Sequence, residues 1–460
     1  MDATEWRDFI NRWDTDKVST EELADWHERS LRNVVRHVKD RSPFYRKRLA
    51  GIDADNLTLA DLGEIPYTTK DDLRDAMYDL LCGGVGDAAF FFTTTGTTGR
   101  STPCPKAEID FDLDVLPMAQ ALDKVVKEHF NEGDPRPVLA VIAPNELHMA
   151  CLSMSFAAKQ IGITKLDLFP ISPVIGFDRF FEVMLELKVN MILCSPGLLM
   201  ALAEMSETYG VDVRADLSLR CLLTTGEMCT DSMKALLEET WGATAYDFMY
   251  GSQEAGVSIR TNPDGSLVPV QPTYLLEVLD LDTGKTLGFE GYGELCLTTL
   301  IPGIKPLIRY RTGDLVEISR SSSGSLTVRQ FGRAKDMVNI GGHKRTAAEI
   351  ENEILVDPTL VYGYELEIQS DGGQDRLLVR VKAKNDADKN RLKALIAGRL
   401  TTAFGVPADV EIHPLLDMRT ATGAWVSWKT ARVKDVRIAV ADEIEDRSAA
   451  DLARAANEAI

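Results

Sequence analysis

Phe92-Thr93-Thr94-Thr95-Gly96-Thr97-Thr98-Gly99-Arg100-Ser101-Thr102 brings two glycines, seven hydroxyls and an arginine into one short segment. Such a segment suits a polyphosphate. Glycines let the backbone approach closely, hydroxyls and amides donate to phosphate oxygens, and the guanidinium adds charge. The glycine spacing is neither that of a GxxxxGK[ST] loop nor that of GxGxxG. Four further segments carry groups a nucleotide could use. Asp247-Phe248-Met249-Tyr250-Gly251-Ser252-Gln253-Glu254 sets a carboxylate just beyond an expected strand, where α/β sheets bind ligands. Arg309-Tyr310-Arg311-Thr312-Gly313-Asp314 sets an acid in an expected turn, able to hold a diol. Gly332-Arg333-Ala334-Lys335-Asp336-Met337 precedes the pair Gly341-Gly342, and Trp428-Lys429-Thr430-Ala431-Arg432-Val433 offers a late cation. Taken singly, each reads as a turn, a surface ion pair or a solvated charge run. Their joint order does not.

The elements that must position these groups alternate between strand and helix. Apolar runs at 138–143, 189–194, 219–223 and 244–250 read as buried strands. Ser195-Pro196 and Thr230 open helices between them, the first stopping near Gly210. That pattern predicts a mostly parallel sheet covered by helices. Residues 1–80 look helical, with Leu31, Val34, Val35 and Val38 at helical spacing and a helix start in Thr68-Thr69-Lys70-Asp71-Asp72-Leu73. After residue 260, runs at 275–281, 293–299 and 316–318 read as antiparallel strands. Past residue 335 a small α+β part begins with a capping box at Thr346-Ala347-Ala348-Glu349. Strands at 365–369, 376–382 and 409–412 follow, with a helix at 387–404. The expected fold class is therefore α/β: a large N-terminal domain at 1–334 with mixed and parallel sheets under helices plus a β-rich subdomain. A small α+β C-terminal domain at 335–440 and an acidic tail at 441–460 follow.

The chain of 460 residues has a net charge of −20, which repels phosphate backbones and anionic headgroups. No nucleic-acid and no membrane partner is expected. The seven cysteines form no CxxC pair and read as buried thiols of a reduced, cytoplasmic protein. Met1-Asp2-Ala3-Thr4-Glu5-Trp6 lacks the basic start and apolar stretch of a signal peptide, so none is expected, and no run approaches the length needed to span a bilayer. Among the six histidines, His27, His37 and His129 read as solvated on helix surfaces and His413 as structural. Met149, Met154, Phe156, Phe177, Phe180 and Phe181 read as core.

The ordered motifs resemble the adenylate-forming superfamily of acyl-CoA synthetases, adenylation domains and luciferases, most closely its phenylacetate–CoA ligase branch. Ser42-Pro43-Phe44-Tyr45-Arg46 and Ile65-Pro66-Tyr67-Thr68-Thr69-Lys70-Asp71-Asp72-Leu73 look like that branch's N-terminal signature. The resemblance runs from about residue 25 to about residue 435. It implies that Thr94, Thr95, Gly96, Thr97, Thr98 and Gly99 grip the ATP phosphates. Gly226 and Glu227 would contact adenine, and Tyr250 would pack on its ring beside Gly251, Ser252 and Gln253. Glu254 would hold Mg²⁺, an oxygen-seeking cation. Asp314 would accept the ribose hydroxyls, with Arg333 near the ribose or phosphates. Lys335 would be the hinge between the domains, and Lys429, Thr97 and Arg333 would serve catalysis. Asn145, His148, Met149 and Gly251 would line the acyl pocket, and Gly341, Gly342 and His343 the acceptor's path. A purely structural role for His148 is the alternative to a substrate contact.

The activity so implied is ATP-dependent activation of a carboxylic acid, aryl or arylacetic, as its acyl-AMP, with transfer to coenzyme A. An amine or a carrier protein is the alternative acceptor, a nucleotide-binding relative without turnover is the alternative class, and a homodimer is compatible with both. The chain departs from the family pattern at Gln253, where Thr or Ser is usual, and at Trp428, where Gly usually precedes the late lysine. It also lacks, at 320–324, the Cys-bearing turn of some relatives, so no metal beyond Mg²⁺ is expected there.

Overall fold

The computed structural model describes residues 1–94, 101–172, 174–321, 324–384, 387–413 and 432–437. The chain divides into two compact units, each assembled from separate stretches of sequence. One holds residues 1–134, 145–163 and 248–329; the other holds 135–144, 164–247 and the chain from 330 onward.

In the first unit the amphipathic helix Thr20–Arg41 buries Leu31, Val34, Val35 and Val38, the stripe that its 3.6-residue period dictates. Trp26 Nε1 donates to the Pro272 carbonyl at 2.9 Å, and Trp26 stacks on Phe9 of the helix Ala3–Asp14. His27 does not lie in solvent as expected. It is buried, with Nε2 2.7 Å from the Gln271 carbonyl, and His37 Nε2 sits 2.9 Å from the Gly303 carbonyl. A polar ring at helical spacing can turn inward wherever a backbone carbonyl is left to satisfy, and the periodicity alone does not show that carbonyl. The short helix Lys70–Ala76 starts in a capping box between Thr69 and Asp72. Antiparallel strands follow: Tyr274–Leu279 pairs with Gly291–Thr299, which pairs with Tyr310–Arg320. Thr68 threads into this sheet, its N–H donating to the Arg309 carbonyl and its carbonyl accepting from the Arg311 N–H, both at 2.9 Å.

The second unit contains four parallel strands in the order Cys221–Thr225, Met191–Cys194, Val138–Ile142, Thr164–Asp167. The two central ones are apolar throughout, as strands covered on both faces must be. Helices Pro196–Ser206 and Asp231–Trp241 begin where Ser195-Pro196 and Thr230 predict. The α+β part runs from the capped helix Ala347–Ile354 through Val361–Asp371, Gln374–Ala383, Lys389–Phe404 and Ala408–Ile412. Its strand order is Ala408–Ile412, Gln374–Ala383, Val361–Asp371, Val433–Asp435.

All seven cysteines are buried and free. Met154, Phe180 and Phe181 are core, whereas Phe156 is exposed while its ring meets Phe90 and Phe111 edge-on. Among the described residues no helix is long and apolar enough to cross a membrane.

Candidate active site

Within the first unit, the strands Phe90–Thr93 and Pro103–Lys106 pair antiparallel and present the threonine-rich loop between them. The loop is closed at its base. Thr94 N–H donates to the Thr102 carbonyl, and Thr94 Oγ1 accepts from the Thr102 N–H at 3.0 Å. Thr95, Gly96, Thr97, Thr98 and Gly99 lie outside the described residues. Next to this base, Gln253 joins two backbone segments. Its Oε1 accepts from Met149 N–H at 3.0 Å, and its Nε2 donates to the Leu147 carbonyl at 3.1 Å and the Thr93 carbonyl at 3.3 Å. Leu147 is exposed and held at φ +53°, a conformation costly for a branched side chain. His148 caps the helix Met149–Ile161, its Nδ1 accepting from Ala150 N–H at 3.3 Å. Asn145 is exposed and Met149 is buried. The bland reading of His148 therefore has a physical basis in the cap.

Tyr250 and Asp314, far apart in sequence, meet: Tyr250 Oη donates to Asp314 Oδ2 at 2.5 Å. Burial, then the neighbouring carboxylate, holds the phenol well above its ordinary range, so it stays a donor. Asp314 does not sit in a turn as expected but in the strand Tyr310–Arg320, at an irregularity in its pairing with Gly291–Thr299. Gly313 takes φ +77° there, and the Glu294 carboxylate clamps the bulge by accepting from Gly313 N–H and from the Arg311 guanidinium. An extra residue in a ladder re-aims the next side chain, and that is how Asp314 reaches Tyr250. Gly251 is obligatory, because a Cβ there would lie 2.4 Å from the Gly256 carbonyl oxygen. Ser252 Oγ accepts from Ala255 N–H at 3.2 Å.

Glu254 is buried and ion-paired with Lys70. Among the described residues no group of three or more His, Cys, Asp or Glu could hold a metal ion. One buried carboxylate fits Mg²⁺ in the manner in which that ion is usually bound, through one or two protein oxygens together with substrate phosphates. A resident, all-protein cage does not fit. Lys70 was legible only as part of the N-terminal signature; its contact with Glu254 has no local sequence signal, since it depends on how the helix Lys70–Ala76 is docked.

In the second unit, Gly226 follows the strand Cys221–Thr225 with φ +84°. Glu227 Oε2 accepts from Gly197 N–H and from Arg432 Nη2, each at 3.1 Å. Arg333 ends the strand Leu326–Arg333, and Lys335 is exposed in the short 3₁₀ turn Ala334–Asp336. Gly341 and Gly342, at φ +61° and +83°, form the two-residue turn of a hairpin, with His343 exposed beside them. A Cβ on Gly341 would meet the Phe404 carbonyl oxygen at 2.6 Å. Lys429 lies outside the described residues.

No family model matches the chain. Whole-length relatives exist. The phenylacetate–coenzyme A ligase of Aromatoleum evansii is 27% identical over 442 residues, spanning 92% of this chain and 96% of that protein. That of Thermus thermophilus is 29% identical over 411 residues, spanning 86% and 88%. Among solved structures, 2-hydroxyisobutyryl-CoA ligase in its postadenylation state superposes with a TM-score of 0.76 at 21% identity, over 96% of this chain and 92% of that one. The anthranilate–CoA ligase with bound anthranoyl-AMP does so with a TM-score of 0.53 at 19% identity, over 79% and 67%. From end to end the chain is thus similar in sequence to phenylacetate–coenzyme A ligases, and it shares the fold of the 2-hydroxyisobutyryl-CoA ligase, in keeping with the resemblance that its ordered motifs carry.

Proposed function

We propose that the protein activates a carboxylic acid, aryl or arylacetic, with ATP to give the acyl-adenylate and pyrophosphate, and then passes the acyl group to coenzyme A. The observation that carries this reading is the Tyr250–Asp314 hydrogen bond, which joins two motifs of the resemblance at one place in the fold. The relatives of matching length are ligases that make a coenzyme A thioester of an aromatic acid, as their names state.

The chemistry makes particular demands. A carboxylate must attack the α-phosphorus of ATP, so two anions approach one another and charge grows on the phosphoryl oxygens. In-line placement removes much of the entropic barrier, and positioned cations remove much of the electrostatic one. Thr94, with Thr95 to Gly99 beyond it, would receive the phosphates. Asp314, held by Tyr250, would accept the ribose hydroxyls, and Gly226 with Glu227 would face adenine. Glu254 would hold the Mg²⁺ that arrives with ATP, and that ion, when bound, would neutralise phosphate charge. Gln253 would support the phosphate loop through its bonds to the Thr93 and Leu147 carbonyls. Asn145, His148, Met149 and Gly251 would line the acid. Lys429 and Arg333 would stabilise the first transition state. Lys335 would be the pivot of a small domain at 335–440 that brings Gly341, Gly342 and His343 to the acceptor.

Pyrophosphate release and hydroxamate formation, screened over aryl, arylacetic and short aliphatic acids, test the first step. Mass spectrometry of products with coenzyme A, with amines and with neither tests the second. An aromatic acid should release pyrophosphate and yield a thioester. No pyrophosphate with any acid would end the reading, and an amide in place of a thioester would reassign the acceptor.

A further inference from the structure

We propose that Tyr274 and Asp114 are positioning residues for Glu254: through them the helix Glu108–His129 fixes the turn that carries this carboxylate against the strand Pro103–Lys106. The inference rests on the function proposed above, in which Glu254 receives Mg²⁺, and adds two residues that none of the quoted motifs contains. Asp110 and Asp114 lie one turn apart on the helix, and both are buried. Asp114 Oδ2 is ion-paired with Lys106, itself buried at the end of its strand. Tyr274 Oη lies 2.8 Å from Asp114 Oδ1 and 2.7 Å from the Ala255 carbonyl oxygen, so one phenolic proton serves two acceptors. Ala255 follows Glu254 directly. Asp110 Oδ2 accepts from Ile304 N–H at 2.9 Å, and the next residue, Lys305, donates from Nζ to the Pro103 carbonyl at 2.7 Å. Pro103 adjoins Thr102, which closes the base of the threonine-rich loop with Thr94.

The turn is pressed against these groups as well as bonded to them. Gly256 takes φ +90°, and a Cβ there would lie 2.4 Å from Asp114 Oδ2 and 2.7 Å from Tyr274 Oη. Burial, then the Asp114 charge, holds the Tyr274 phenol well above its ordinary range and keeps it a donor. Burial opposes the charge on Lys106, but Asp114 and then Asp110 outweigh it and raise its pKa. Stability alone does not call for such a cluster, since apolar groups of equal volume often serve as well as a buried ion pair. What it supplies is geometry. A carboxylate that meets a metal is aimed by the groups behind it, and here those groups reach it through the Ala255 carbonyl.

Calorimetry of ATP binding to the whole protein, with and without Mg²⁺, is the test. The unaltered protein should bind ATP more tightly with the ion, and Glu254→Gln should remove that gain. No gain, or one that Glu254→Gln leaves intact, would condemn the functional reading of Glu254 and this proposal with it. Given the gain, Tyr274→Phe should lower it by roughly 10-fold, the low end of what partners behind a metal ligand contribute, while affinity without Mg²⁺ holds. In the Glu254→Gln background the same substitution should change nothing further, because a residue acting through Glu254 then has nothing to act on. A residue that serves only the core would show additive effects instead. Asp114→Asn keeps the side chain's shape and an acceptor for the phenol but removes the charge that holds Lys106. It should lose part of the same gain, and it decides the matter if Tyr274→Phe does not fold. Three results overturn the proposal while leaving the function standing. They are a full Mg²⁺ gain in the deciding variant, an equal loss of affinity with and without the ion, and an undiminished effect beside Glu254→Gln.

Discussion

Gln253 stands where the resembled family pattern has Thr or Ser, and its hydrogen bonds say what removing it should do. Three are lost in Gln253→Ala: those with Met149 N–H, the Thr93 carbonyl and the Leu147 carbonyl. At a net contribution of about 0.5–1.5 kcal/mol each, the low end being apt for a partly exposed amide, the local loss is about 2 kcal/mol. Since about 1.4 kcal/mol is a factor of ten, local opening should become roughly 30-fold more populated. Leu147 sharpens the effect, because its left-handed backbone relaxes once the amide no longer holds its carbonyl. Hydrogen exchange followed by mass spectrometry, on a peptide covering residues 145–155, should show that acceleration while peptides from the parallel strands stay unchanged. Gln253→Glu should be worse than the alanine. It keeps an acceptor for Met149 N–H but turns its other oxygen onto two carbonyl oxygens that the amide formerly satisfied. Exchange in Gln253→Ala equal to that of the unaltered protein, or Gln253→Glu milder than Gln253→Ala, would refute the scaffold role and return the residue to direct contact with phosphate.

Lys429→Ala should lower adenylation by about 10²–10³, the cost of removing one electrostatic stabiliser, read by pyrophosphate exchange; an unchanged rate removes Lys429 from the site. Arg309, almost fully buried, binds Glu277 through two nitrogens, at 2.9 and 2.7 Å, and also the Ile65 carbonyl. Arg309→Met should destabilise the protein by about 3–5 kcal/mol, because Glu277 is left charged and unpaired in the interior, and adding Glu277→Leu should recover much of that in a thermal melt. Burial pushes the His27 imidazole down to about 4 from 6.5. The unfolded chain therefore binds the extra proton between those values, and stability falls as pH drops from 6.5 towards 4, by at most about 3 kcal/mol. His27→Gln should flatten that part of the stability–pH curve, and a slope unchanged by the substitution would assign it to other groups.

The sequence periods carried most of the architecture. Apolar runs located three of the four parallel strands to within two residues and missed Thr164–Asp167, a half-exposed strand with no apolar run, while Ser195-Pro196, Thr230 and Thr346 marked helix starts that the fold uses. These signals are local, so they survive without tertiary information. Asp314 shows the limit. Its turn-like Thr-Gly-Asp lies within a strand, because the Glu294 clamp that stabilises the bulge comes from a neighbouring strand. His27 shows another, since its partner is the carbonyl of Gln271. Lys70, Glu351 and Arg432 were invisible as a set for the same reason: each pair is made by docking of elements, which no spacing along one element encodes.

On the proposed function, a chain of net charge −20 must receive ATP, and in each unit its acids meet that problem in the same way. The acids of the resembled motifs do not stand as bare charges. Glu254 faces Lys70, Asp314 accepts a hydrogen bond from the Tyr250 phenol, Glu294 clamps Arg311, and Glu227 shares Arg432 with Glu351. Each carboxylate thus has its field offset by a partner that can also hold its geometry, and hydrogen bonds to ionised groups are the stronger ones. A polyanion then meets compensated acids whose positions are fixed in advance, which is what a transition state of growing phosphoryl charge requires. The net charge of the whole chain adds a field of longer range. Added salt screens such a field within about 10 Å, so raising ionic strength should ease the approach of ATP more than it weakens the buried pairs.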